Sequence, residues 1–77
     1  MNAAEVVNAL LVQRFGVALA DVTDETPLRT LRIDSLALEE LRVLIEDQLD
    51  IDLEEVPLTP RDTVGRLVAA VNGMVPA

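Results

Sequence analysis

The chain has no cysteine, histidine, tryptophan, tyrosine or lysine among its 77 residues. Without cysteine there is no disulfide framework and no thiol chemistry of the chain's own. With histidine missing as well, a zinc centre loses its usual ligands. A single aromatic, Phe15, makes no stacking platform for bases. The missing histidine also removes the commonest general base. Arginine, the only basic residue type here, is too strongly protonated to replace it. Positive charge is scarce: six basic residues face fourteen acidic ones, a net charge of −8. That balance argues against nucleic acid, whose phosphates would be repelled. It argues for basic partner surfaces, although acidity alone equally serves solubility. No stretch approaches the ~18 apolar residues of a membrane span. The opening Met1-Asn2-Ala3-Ala4-Glu5 lacks the basic end and long apolar run of a signal peptide. A cytoplasmic chain is expected. Its length allows one domain, residues 1–77, around one small core.

Aliphatic residues are plentiful, and their spacing is helical. Asn2 to Glu5 resembles a capping box, with Asn in place of Ser or Thr. A first helix is expected from about Ala3 to Phe15, with Val6, Val7, Leu10, Leu11 and Phe15 facing inward. Gly16 suits the left-handed position that ends it. From Val17 to Ile33 runs a connection rich in turn formers: Asp21, Thr23, Asp24, Thr26 and Pro27. It also holds Leu19, Val22, Leu28, Leu31 and Ile33, too many aliphatics for a disordered linker. These five are expected to peg an ordered loop to the core.

A second helix is expected from Ser35 to about Gln48. Asp34 and Ser35 are good capping residues. Leu38, Leu41, Ile45 and Leu49 form its inward stripe. Ser35 thus stands at, or one residue inside, a helix N-terminus, where the dipole is positive and amides lack partners. A phosphate there is electrostatically favoured. Beyond Leu49 only a short helical turn fits between Leu53 and Pro60, because Pro57 and Pro60 interrupt. Asp62 or Thr63 can cap a last helix through about Val71, with Val64, Leu67, Val68 and Val71 inward and Asn72-Gly73 as its stop. Gly65 lowers that helix's intrinsic stability slightly. The fold expected is all-α: three main helices, one short one, and a long ordered loop between the first two.

Other chemistries fit poorly. Asp50, Asp52 and Glu54 match three positions of a calcium loop. Its glycine position then holds Glu55 and its bidentate-glutamate position holds Arg61, so the EF-hand pattern fails. A start at Asp21 fails likewise, with Thr26 and Arg32 at those positions. The neighbours Glu39-Glu40, Glu46-Asp47 and Glu54-Glu55 read as solvated helix surface rather than acid–base pairs. Ser35 has no base to activate it as a nucleophile.

Asp34-Ser35-Leu36 before an acidic amphipathic helix resembles the modification site of acyl carrier proteins. The likeness extends to Leu31 ahead of the aspartate, Glu40 and Glu46-Asp47 along the helix, Leu49-Asp50-Ile51 at its end, and Thr63-Val64 opening the last helix. The resemblance implies that Ser35 carries a 4′-phosphopantetheine arm whose thiol holds acyl groups as thioesters. It implies a phosphopantetheinyl transferase using coenzyme A and Mg²⁺. It further implies acyl-loading, ketosynthase or other biosynthetic partners, and a monomeric carrier rather than an enzyme. The family usually has Gly where this chain has Arg32. Asp before the serine favours fatty-acid or polyketide carriers over peptidyl ones. The arginine-only basic set and the abundance of Ala, Val and Leu suggest a GC-rich genome. With Arg32 in place of Gly, a polyketide-type pathway is expected. The alternatives are a fatty-acid carrier, a stand-alone peptidyl or aminoacyl carrier, and, from a different class, an unmodified acidic helical adaptor.

At about 100° per residue, Leu36 and Val43 fall opposite the inward stripe, beside Glu40 and Asp47 and flanked by Glu39 and Glu46. An apolar spot inside a negative rim is the layout of a transient docking site for a basic surface. Asp34, Leu36, Glu40, Val43 and Asp47 are the expected docking set. Whether the aliphatic core is ordinary or opens around an acyl chain is left open by the sequence.

Overall fold

A computed structural model describes residues 2–75. Three α-helices account for most of it: α1 Ala3–Phe15, α2 Ser35–Leu49 and α3 Val64–Met74. Two short 3₁₀ turns, Leu19–Asp21 and Leu28–Leu31, lie in the long connection between α1 and α2. Among the described residues the only β-type pairing is an isolated antiparallel bridge between Pro27 and Thr63.

Local chemistry sets the helix ends. The Asn2 carboxamide oxygen accepts from the Glu5 amide at 2.8 Å, and Gly16 closes α1 at φ 69°. Asp34 caps α2 by accepting from the Ala37 amide at 2.8 Å. At the other end Asp50 takes the left-handed conformation, φ 54°, a role that Asp tolerates better than most non-glycine residues. Thr63 caps α3 through the Arg66 amide at 3.1 Å. The apolar stripes meet in one core. Val6, Val7, Leu10 and Leu11 of α1 pack with Leu38, Leu41 and Ile45 of α2 and with Val64, Leu67 and Val71 of α3.

Several expectations are corrected. Helix α3 runs on to Met74: Gly73 keeps an ordinary helical backbone and stops nothing. The short helix expected between Leu53 and Pro60 is not formed, so the described residues hold three α-helices rather than four. A single turn at 54–56, closed by the Val56 amide on the Leu53 carbonyl at 3.1 Å, stands there instead. Pro57 has no amide to extend it. In the first loop Leu28 and Ile33 are fully buried, and Val22 and Leu31 are half-buried. Leu19 is not a peg, for it is 68% exposed.

The first loop is sewn to the N-terminus of α3. Val64 donates to the Thr26 carbonyl at 2.9 Å, and Gly65 to the Asp24 carbonyl at 3.0 Å. Leu28 and Arg29 donate back to the carbonyls of Asp62 and Pro60, at 2.9 and 2.8 Å. This explains Gly65. A Cβ there would stand 2.9 Å from the Asp24 carbonyl oxygen and 3.1 Å from the Asp24 Cβ. The first of these is backbone and cannot swing aside. Gly65→Ala should therefore destabilise the protein by about 1–2 kcal/mol, overpacking outweighing the gain in helix propensity. At Gly73 there is open space, so Gly73→Ala should leave stability unchanged or slightly raised. Thermal melts of the two variants moving the same way would contradict this.

Candidate functional site

Ser35 is the first residue of α2, immediately after the cap. Its position is fixed from behind. Leu28 and Ile33 are buried, and the Ile33 amide donates to the Leu28 carbonyl at 3.1 Å. Arg32 turns the chain between them at φ 65°. Asp34 then caps the helix, so the Ser35 hydroxyl is relieved of that duty and stands exposed. The amides of Ser35 and Leu36 have no partner among the described residues, and both residues face solvent. The corresponding amides of α3 are taken up by the first loop, as described above. The entrance of α2 can therefore receive an anion, and that of α3 cannot.

Ser35 is also the only serine of the chain. Tyrosine is absent, and all five threonines are engaged. Thr23 and Thr26 bond each other at 2.6 Å, and Thr30 donates to the Pro27 carbonyl at 2.7 Å. Thr59 pairs with Asp62, and Thr63 caps α3. A free hydroxyl beside unpaired helix amides fits a phosphodiester on Ser35 Oγ.

Arg32, where the resemblance expects Gly, does hold the left-handed conformation that glycine adopts freely, φ 65°. An L-residue in the left-handed region costs about 1–2 kcal/mol, and glycine pays roughly 0.5–1 kcal/mol in backbone entropy to avoid that. Among the described residues the Arg32 guanidinium makes no ion pair. It lines a surface groove of about 360 Å³ with Phe15, Val17, Asp21, Leu31 and Ile33.

The outer face of α2 carries Leu36, 81% exposed, and Val43, 54% exposed, while Ile45 is fully buried. Glu39, Glu40 and Asp47 are exposed beside them. Val43 also borders a shallow groove walled by Glu39, Glu46 and Glu54. Asp34 is exposed too, but the oxygen that serves as cap is committed to α2. Glu46 is partly withdrawn from this face, since its carboxylate accepts from the Leu53 amide at 2.7 Å.

The residue that sequence reasoning missed is Arg42. It is buried, and its guanidinium donates to the carbonyls of Leu53 and Val56, the latter at 2.8 Å, with Leu58 at 3.5 Å. Its Nε lies 3.5 Å from a Glu39 carboxylate oxygen, too poorly aligned to count as a hydrogen bond. The signal was present: Leu38, Leu41, Arg42 and Ile45 share one helical face, so an arginine at that phase must be buried or displaced.

Residues 5–71 match the family described as the phosphopantetheine attachment site. No solved structure matches the chain. No helix of the described residues is long and apolar enough to cross a membrane, and no cluster of metal-binding side chains occurs among them.

Proposed function

Because the chain belongs to the phosphopantetheine attachment-site family, whose domains are non-catalytic carriers of a covalent 4′-phosphopantetheine arm, we propose that the arm is borne by Ser35 and that the protein is a discrete acyl carrier of specialised, polyketide-type biosynthesis. One observation carries the attachment point: a family that uses a serine meets a chain with a single serine, exposed at the mouth of α2. The arm supplies a terminal thiol on which acyl groups ride as thioesters. The chain's own residues do the rest. The Ser35 and Leu36 amides and the helix dipole hold the negative charge of the phosphodiester. The Asp34 cap keeps that helix end formed. No bond is made or broken by the carrier itself. Its contribution is a tethered substrate at high effective concentration and a surface that partners recognise.

That surface, in our reading, is Asp34, Leu36, Glu40, Val43 and Asp47. The exposed Leu36 and Val43 and the free carboxylates of Glu40 and Asp47 support it. A phosphopantetheinyl transferase, and then acyl-loading and ketosynthase-type enzymes with basic docking faces, are the partners proposed for a cytoplasmic, monomeric carrier. Glu40→Arg or Asp47→Arg should slow arm transfer, most at low salt, where screening is weakest. Val43→Ala should slow transfer and leave the melting temperature nearly unchanged, because the side chain is half exposed. Ile45→Ala, at a fully buried position, should cost about 2–5 kcal/mol. Equal loss of stability in the two alanine variants would remove Val43 from the docking face.

A further inference from the structure

The groove lined by Arg32 has a use that attachment alone does not require. It lies between the end of α1 and the second 3₁₀ turn, and its volume of about 360 Å³ falls within the range of small-molecule sites. Phe15 and Leu31, both only partly buried, give it an apolar side. Asp21 and Thr30 give it acceptors, the Thr30 proton being already spent on the Pro27 carbonyl. Arg32 lines it as well, three residues before Ser35. Three Cα steps of ~3.8 Å place the two residues no more than about 11 Å apart. Arg32 is held in the left-handed region without an ion-pair partner among the described residues, in a chain whose acids outnumber its arginines.

We infer that this groove is the resting site of the pantetheine arm, with Arg32 as the positioning residue that draws in its phosphodiester. The inference rests on the attachment of that arm to Ser35. The chemistry matches part by part. A guanidinium binds a phosphodiester oxygen pair in its planar fork. The arm's amide and hydroxyl protons meet the Asp21 carboxylate and the Thr30 oxygen, and its geminal methyls meet Phe15 and Leu31. Because the arm is tethered three residues beyond Arg32, which lines the groove, even weak contacts hold it, since a short tether gives an effective concentration on the order of millimolar. The groove shares no residue with the outer face of α2, so a partner can dock there before the arm is drawn out.

The test compares proton–nitrogen spectra of the apo protein with those of protein loaded by a transferase and coenzyme A, intact mass confirming the adduct. Loading should shift the amides of Gly16, Val17, Asp21 and Thr30 in addition to those next to Ser35. Cross-relaxation should connect the arm's methyl protons to Phe15 or Leu31. In Arg32→Gln, loaded to the same mass, the remote shifts should vanish, and in Arg32→Lys they should persist. Arg32→Gly, which relieves the backbone, should lose them too and serves if the glutamine variant folds poorly. Shifts confined to the neighbours of Ser35, shifts on the α2–α3 side instead, or remote shifts unchanged in Arg32→Gln would each overturn the groove while leaving attachment standing. A loaded protein whose adduct is not on Ser35 would overturn the attachment reading, and the groove inference with it.

Discussion

Ser35→Ala should gain no mass on incubation with coenzyme A and a broad-specificity transferase, while the parent gains one phosphopantetheine. The expected loss is complete, because no other serine exists and the five threonine hydroxyls are already engaged within the fold. The variant should stay folded. The sequence alone assigned Ser35 a share in capping, which would cost about 0.5–2 kcal/mol on removal. The geometry gives the cap to Asp34, so Ser35→Ala should change stability by no more than about 0.5 kcal/mol, as for most surface substitutions. The cap penalty moves to Asp34→Ala. An adduct on Ser35→Ala protein would refute the attachment site. A parent that takes no adduct would leave the chain an acidic helical adaptor.

A large loss of stability should also come from Arg42→Met. The methionine keeps much of the aliphatic bulk and removes the guanidinium. Three carbonyls, those of Leu53, Val56 and Leu58, then lose a charged donor in a largely buried place. Leaving such groups unpaired costs about 1–3 kcal/mol each when solvent cannot replace the donor, and partial relaxation toward water lowers the sum. A total of about 2–4 kcal/mol is expected. For a domain of this size that lowers the melting temperature by at least ~8 °C. Hydrogen exchange should rise first at 53–58, since Arg42 and Glu46 pin that segment to α2 from two sides. If Arg42→Met melts where the parent does, the guanidinium is not what holds the segment.

Arg42 and Gly65 mark where local reasoning stops. The stripes of α1, α2 and α3 follow the helical period, and each is decided within a few residues by which side chains avoid water. The caps at Asn2 and Gly16 are as local, being contacts across a single turn. The exposed placement of Leu36 and Val43 follows from the same phase, once the buried side is known. Hence three helices, their inner faces and the position of Ser35 at a helix mouth were legible in the sequence.

Tertiary structure decided what depends on partners far along the chain. The carbonyls bound by Arg42 lie 11 to 16 residues away, and no periodicity announces them. Gly65 looked like a weak spot in a helix, yet the backbone of Asp24 passes where its Cβ would be. Gly73 looked like a stop and lies inside α3, because a glycine ends a helix only if the chain turns left-handed there. Leu19 looked like a peg and points to solvent, for a loop of seventeen residues buries only those apolar side chains whose backbone is tied down. Leu28 and Ile33 are tied, through Asp62 and through each other, whereas the turn that holds Leu19 closes only on itself. Sequence thus determines which segments coil and which faces are apolar, since both are near-neighbour free energies. Which polar side chain is buried, and which glycine is required, is settled only when distant backbone arrives beside it.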